Sequence, residues 1–363
     1  MAAPPPEGTT VRHKLTGAIT LMALTACGQQ EATTAASDEP AQAEALVSGI
    51  SLENMDTSVR PGDDFFMYVN GTWVQEAEIP ADKAFYGGFR ILRDEAEEDV
   101  KAIIEASASG DFAKGTDEQK VGDLYKSYMD METRNAKALT PLQAELERIA
   151  AIDNHEQLAV YFAGANRRGY GVPMTVAQNE DFKDPEYYMI YAWQDGLGLP
   201  DREYYLQDDE SSAGLRDKYV AHIETMFDLA GFENGAAAAE SIMALETRIA
   251  EAHITKEAAR DWATNYNKVP IAELNDVMPN FNWDGFAAEA GIADIDGLVL
   301  MMTSYFESMD DIIASTDIDT WQTYLKWVAL NDRASQLSED LDNQNFEFNG
   351  KALSGTEEQR ESW

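Results

Sequence analysis

The chain has 363 residues, 44% of them hydrophobic and 10% aromatic, which is enough apolar material for one large buried core or two smaller ones and excludes a disordered chain. Its formal net charge of −39 repels nucleic acid and anionic membrane surfaces, so a nucleic-acid partner is ruled out and cationic peptides are attracted instead. Cys27 is the single cysteine, so no intrachain disulfide can form.

The first element is a leader. Arg12, His13 and Lys14 are basic, residues 15–26 are an apolar run too short to span a bilayer, and Leu24-Thr25-Ala26-Cys27 has the form of a bacterial lipobox. This order predicts a lipoprotein signal peptide over 1–26, cut so that Cys27 becomes a lipidated N-terminus. Several acyl chains together anchor a protein that a single chain holds only marginally. Gly28 stands where an aspartate signals inner-membrane retention, so the expected place is the outer membrane, facing the periplasm. MAAPPPEGTT is an unusual lead-in to such a signal, and Val11 is an alternative translation start. Residues 27–49, rich in Ala, Gln, Glu and Thr, read as a flexible tether, and folded sequence begins at residue 50.

VRPGDDFFMYVNGTW (59–73) reads as a short capped helix. Asp63 or Asp64 suits the N-cap, Phe65, Tyr68 and Val69 have helical spacing, and Asn70-Gly71 suits the C-cap. Helical stripes follow: Leu92, Ala96, Val100, Ile103 and Ile104; then Val121, Leu124, Tyr125 and Tyr128; then Leu139, Leu142, Leu146 and Ile149. Further stripes are Leu215, Tyr219, Ile223, Met226 and Phe227; Ile242, Leu245, Ile249 and Ala252; and Trp321, Leu325 and Val328. Val172, Met174 and Val176 alternate, as do Tyr188, Ile190 and Ala192, with NEDFKDPE between them. That pattern predicts a β-hairpin near 172–192 with a long loop. The fold class is mainly α with this one small hairpin. Thr356 and Gln359 form a T-x-x-Q capping box, predicting a helix that runs toward Trp363.

No catalytic constellation is evident from spacing alone. His155-Glu156 lacks the second histidine of H-E-x-x-H, and His253 with Glu257 gives two possible zinc ligands without a third. The cysteine belongs to the lipobox, and neither G-x-S-x-G nor a calcium loop occurs. Acidic residues are so numerous that no pair can be singled out for glycoside chemistry.

Ordered blocks carry a resemblance. NMDTSVRPGDDFFMYVNGTW (54–73), IPADKAFYGGFRILRDE (79–95), GLGLPDREYY (196–205), ALETRIAEAH (244–253) with the following RD and YN, and FEFNGKALSGTEEQRESW (346–363) resemble, in order, the neprilysin/endothelin-converting-enzyme family of zinc metallopeptidases, bacterial members above all. The resemblance implies a two-lobed fold: a thermolysin-like lobe holding zinc through H-E-x-x-H and a downstream glutamate, and a multi-helical lobe closing over it. Residues 50–363 match the N-terminal helical domain. Zinc is expected in the full-length family protein, with its ligands and the substrate-binding Asn-Ala segment beyond residue 363, and no cofactor is expected in this chain.

The resemblance also implies that the segment around Tyr86-Gly87 contributes to the pocket for the C-terminal side of a peptide substrate, with Phe89 and Arg93 lining it. The family arginine that grips a terminal carboxylate aligns with Phe85, and a family aspartate with Arg90, so the residues behind a preference for short free-ended peptides are not matched here. Arg90 can replace part of the missing charge, because a guanidinium binds a carboxylate through two hydrogen bonds. The expected function is the peptide-chamber part of a periplasmic zinc metalloendopeptidase, inactive alone. Its partners are peptide substrates, the missing zinc lobe and, through the lipid anchor, the membrane. The alternative is a non-catalytic peptide-binding lipoprotein derived from that family.

Overall fold

A computed structural model describes residues 49–360; the leader, Cys27, nearly all of the tether and Trp363 lie outside the described residues. The chain divides into two compact units, Met1–Glu76 and Ala77–Trp363.

In the described part of the first unit a turn, Leu52–Asn54, leads to helix α1, Phe65–Glu76. Asp64 caps it: Oδ1 accepts from the Met67 amide at 2.9 Å, satisfying a donor that no carbonyl inside the helix can reach. The helix does not end at Asn70-Gly71, as the sequence suggests, but continues to Glu76. Gly71 marks a close approach instead. A Cβ there would lie 2.7 Å from the Asp56 Cβ, and next to it the Thr72 hydroxyl donates to the Met55 carbonyl at 3.0 Å.

The second unit opens with a hairpin of helices, α2 (Gly88–Ser109) and α3 (Asp117–Met129). Thr116 caps α3, and Gln119 returns the favour by accepting from the Gly115 amide at 2.8 Å. The helices meet at Gly122, where a Cβ would lie 2.4 Å from the Ser107 carbonyl oxygen. Then come α4 (Met131–Lys137), α5 (Gln143–Ala150) and α6 (His155–Arg168). α6 is held between the Asn154 cap and Gly169, whose φ of 74° suits the left-handed C-terminal turn.

The hairpin is longer and its loop shorter than expected. Strands β1 (Met174–Asp181) and β2 (Asp184–Gln194) pair from Met174↔Gln194 onward and leave only Phe182 and Lys183 between them. Polar NEDFKDPE reads as loop, yet most of it is strand. The Tyr191 hydroxyl fixes the tip by donating to the Glu180 carbonyl at 3.2 Å and accepting from the Phe182 amide at 3.0 Å.

Helices α7 (Glu203–Leu206), α8 (Glu210–Leu229), α9 (Gly235–Ala252), α10 (Lys256–Ala259) and α11 (Trp262–Asn265) precede strand β3 (Asn267–Pro270). Helices α12 (Leu274–Val277) and α13 (Trp283–Ala290) lead to β4 (Gly297–Leu300). The hairpin is therefore part of a four-stranded sheet in the order β1-β2-β4-β3, with β4 parallel to β2 and antiparallel to β3. Four-residue strands are too short to show alternation, and GLVL, buried throughout, reads as plain apolar sequence. Helices α14 (Thr303–Ser315), α15 (Ile318–Arg333) and α16 (Glu339–Asn345) complete the unit, and α16 runs into a π-helical stretch, Phe346–Leu353.

The stripes read in α8, α9 and α15 face the core: Tyr219, Ile223, Met226, Ile242, Leu245, Ile249, Trp321 and Leu325 are all buried. Glu145 and Glu246 are among the carboxyl groups buried with them, each hydrogen-bonded, as burial requires. Glu145 takes two 2.9 Å bonds from the Arg168 guanidinium and one of 2.8 Å from the Tyr161 hydroxyl. Glu246 accepts from the Tyr205 and Tyr219 hydroxyls at 2.6 and 2.9 Å, and Tyr219 accepts in turn from the Trp327 indole at 3.0 Å. Burial pushes the Glu246 carboxyl up to about 7 against those hydrogen bonds.

Leu92, Val100, Ile103 and Leu124 belong to helices, as read, and are exposed. One expectation fails: among the described residues no helix forms after Thr356, whose amide bonds back to the Gly350 carbonyl while the Gln359 amide reaches Asp342. Among the described residues no helix is long and apolar enough to cross a membrane.

Candidate peptide-facing site at the start of helix α2

The segment before α2 is tied down at two points. Lys83, with its side chain almost wholly buried, pairs with Asp82 at 3.3 Å and with Asp94 on α2 at 3.2 Å. The Ala81 carbonyl accepts from the amides of Glu357 and Glu358, both at 3.0 Å. Gly87 then starts α2 without a side-chain cap, and its carbonyl takes the first bonds, from Arg90 and Ile91.

The three residues singled out by the sequence all lie in the first two turns. Phe89 is 93% exposed. Arg90 is half-buried, its guanidinium carbon 5.5 Å from the centre of the Phe85 ring and its Nε enclosed without a hydrogen-bond partner. Arg93 falls one turn after Phe89 on the same face, and its Nε donates to Glu97 at 2.8 Å. Glu97 also holds Arg360, and the hydrogen bonds from Arg360 and then Arg93 bring its carboxyl down to about 2. The arrangement combines an open aromatic face, a guanidinium stacked beside it and a second guanidinium steered by a carboxylate. Those parts can hold an apolar side chain and hydrogen-bond a carbonyl or carboxylate; they cannot move a proton near neutral pH.

The resemblance named Phe89, Arg90 and Arg93, and Lys83 and Arg360, which the structure places beside them, were not named. The Arg93–Glu97 spacing of four was a readable signal; Arg360 lies too far along the chain for any local pattern to bring it to α2. Beside this clamp, Ala81, Asp82, Glu97, Lys101 and Arg360 line a cleft of about 400 Å³.

The described histidines do other work. His155 Nε2 bonds the Thr316 carbonyl at 2.8 Å. His222 stacks on Phe348 with ring centres 4.8 Å apart and receives the Gln344 amide, and burial brings its imidazole down to about 4. His253 and Glu257 do not share a helix: His253 caps the end of α9 and bonds the Asp195 carbonyl at 3.1 Å, while Glu257 sits on α10, its carboxyl lowered by backbone and Thr255 hydrogen bonds. Among the described residues no three His, Cys, Asp or Glu side chains are grouped to hold a metal ion, so these residues do not fit zinc.

Comparison with known proteins identifies the family. The sequence profile for the N-terminal domain of peptidase family M13 matches residues 61–363. The chain is 29% identical over 342 residues to mouse membrane metallo-endopeptidase-like 1, covering 86% of this chain and 44% of that protein. It is 26% identical over 347 residues to human neprilysin, covering 86% and 45%. The crystal structure of Mycobacterium tuberculosis zinc metalloprotease Zmp1 in complex with inhibitor is similar at a TM-score of 0.81 and 35% identity, covering 87% of this chain and 49% of that one. The chain thus spans about half the length of the relatives it matches. A mainly helical unit with one small sheet, a profile match over most of its length and this likeness to Zmp1 together mean that the chain belongs to peptidase family M13, the zinc metallopeptidases of the neprilysin and endothelin-converting-enzyme type, and represents their N-terminal portion.

Proposed function

We propose that this chain is the peptide-holding, N-terminal part of a zinc metalloendopeptidase that degrades peptides on the periplasmic side of the outer membrane, to which a lipid on Cys27 anchors it. The observation that carries this reading is Phe89, a large aromatic side chain 93% exposed at the start of α2, with Arg93 one turn on and Arg90 stacked on Phe85. An aromatic face left in water favours an apolar substrate side chain, and the guanidiniums favour backbone carbonyls or a carboxylate. Arg90 sets a charge beside Phe85, where the family resemblance implies an arginine. Zinc, bound by an H-E-x-x-H lobe outside this sequence, would polarise the scissile carbonyl and activate a water. This chain's part is to bind and orient the peptide and to keep bulk water from it. The strong negative charge draws cationic peptides toward the chamber.

The test is to purify residues 28–363 and to measure zinc content, peptide binding and cleavage of a mixed peptide library. The expected result is no stoichiometric zinc and no cleavage. Tight zinc with chelator-sensitive cleavage would overturn the reading and make His253 and Glu257 the first residues to replace. Peptide binding at full strength, together with downstream DNA that encodes no H-E-x-x-H, would favour a non-catalytic binding lipoprotein.

A further inference from the structure

Strand β2 outruns β4, its neighbour on one side, and the register fixes which of its peptide groups turn that way. Asn166 bonds the Met174 carbonyl and the Val176 amide, so those residues of β1 face away from β2. Their partners Gln194 and Ala192, and by alternation Ile190 and Tyr188, therefore face the β4 side. The Ala192 carbonyl does so, accepting from the Met301 amide at 3.0 Å. β4 pairs with Tyr191 and Ala192 and begins at Gly297, so the Tyr188 amide and carbonyl point to a place just past its end. A cleft of about 360 Å³ opens there. Tyr188, Met189 and Ile190 line it from β2, and Asp294, Ile295 and Asp296 line it from the segment before β4. Tyr188 is 67% exposed, Ile190 and Ile295 are half-buried, and Asp294 and Asp296 are exposed. Lys268 of β3 also lines the cleft, a single ammonium beside two carboxylates.

We propose that this cleft binds an extended segment of a cationic peptide, which adds to β2 as a strand. Main-chain hydrogen bonds to Tyr188 hold the segment, Ile190 and Ile295 take an apolar side chain, and Asp294 and Asp296 take a lysine or arginine. Three observations favour this occupant. An open strand edge presents donors and acceptors at strand spacing, which another strand matches and a helix does not. Two exposed carboxylates on a chain of net charge −39 attract a cation and repel an acidic segment. The other edges of the hairpin are closed: Asn166 covers β1 at Met174 and Val176, and the Tyr191 hydroxyl bonds the Glu180 carbonyl near the tip. Among the described residues no side chain does this for the Tyr188 main chain. None of the cleft residues belongs to the α2 arrangement, so the two can be tested apart.

The test is fluorescence anisotropy of the full chain with a fluorescein-labelled peptide, Lys-Val-Lys-Val-Lys-Val-Lys, and two N-methylated copies of it. One copy is methylated at the valine amides and the other at the lysine amides. In an added strand one alternate set of amides faces β2 and the other does not. One copy should therefore bind roughly tenfold or more weakly and the other nearly as well as the parent peptide. Asp294→Lys/Asp296→Lys should weaken binding by roughly tenfold or more, with an unchanged melting temperature because both side chains are exposed. Asp217→Lys/Glu224→Lys, the same change of charge at exposed positions on α8, should have a much smaller effect, and Phe89→Ala none. Equal binding of the two methylated copies overturns strand addition. Equal weakening by the two pairs of lysines reduces the effect to overall attraction and overturns the inference. Binding lost in Phe89→Ala and kept in Asp294→Lys/Asp296→Lys seats the peptide at α2, which overturns it and upholds the proposed function. No binding to the parent chain overturns it outright.

Discussion

The Tyr205 hydroxyl donates a 2.6 Å hydrogen bond to Glu246, a carboxyl sealed inside the second unit. Its burial outweighs that bond and those from Tyr219, so the carboxyl rises from 4.5 to about 7. Between those values the folded protein keeps a proton that the unfolded chain has already released. The contribution of Glu246 to stability is therefore complete below 4.5 and is lost as pH rises through 7. About 3 kcal/mol should disappear across that window from this group. Glu246→Gln has nothing to titrate, so its urea unfolding should vary less between pH 5 and pH 8 than that of the parent. Equal slopes for the two proteins would refute the assignment.

The α2–α3 contact should tolerate no side chain at position 122. A Cβ there would lie 2.4 Å from the Ser107 carbonyl oxygen, a backbone atom that cannot swing aside. Gly122→Val should force the helices apart and destabilise the unit by about 1–3 kcal/mol. Gly214, with open space around it, is the control: Gly214→Ala should be neutral or slightly stabilising. Thermal unfolding of the two variants decides the matter.

Tyr219 both donates to Glu246 and accepts from the Trp327 indole. Tyr219→Phe keeps the ring but leaves the indole N–H buried without an acceptor. The expected cost is about 1–3 kcal/mol, larger than for removal of an exposed hydroxyl. Trp327→Phe in the same background should recover part of it, because the orphaned donor is gone. A double-mutant cycle that shows no coupling would count against the shared network.

Protein taken from its native host should begin at Cys27 and carry acyl chains there. The expectation follows from the order of basic segment, apolar run and lipobox. Mass spectrometry of the mature N-terminus tests it, and an unmodified Cys27 or a start elsewhere would exclude the anchor.

Arg93→Ala, made in a full-length relative that keeps this site, should lower kcat/KM for several peptides by an amount equivalent to about 1.5–3 kcal/mol, the worth of a charge-assisted hydrogen bond. Glu97→Gln should act in the same direction but more weakly, since it steers Arg93 and does not face the peptide. Unchanged kcat/KM in Arg93→Ala would remove it from the site.

The sequence was most legible where a helix meets its own core. Tyr219, Ile223 and Met226 on α8, and Trp321 and Leu325 on α15, lie on the buried faces that their spacing predicts. The same spacing on α2 predicts a helix correctly and leaves its surroundings open, because periodicity tells which side is apolar and not what covers it. Asn70-Gly71 has the chemistry of a helix end, but Gly71 serves the crossing of Asp56, a contact that local rules cannot see. Thr356 and Gln359 have the letters of a capping box, yet the long-range bond from Gln359 to Asp342 takes the side chain the box needs. Of the proposed site, Phe89, Arg90 and Arg93 lie within one helix and were named from the resemblance. Arg360 reaches Glu97 only because the far end of the chain returns to α2.

Strand β2 acquires its parallel neighbour late in synthesis. Tyr191 and Ala192 pair with Val299 and Leu300, over a hundred positions further on. A ribosome adding roughly 5–20 residues per second leaves that edge without its partner for several seconds after the hairpin has emerged. An unpaired edge recruits other strands readily. The β1–β2 arm is thus the part of the nascent chain with most to gain from a holding chaperone, and slowing translation between residues 200 and 300 should lower the soluble yield more than slowing it before residue 170.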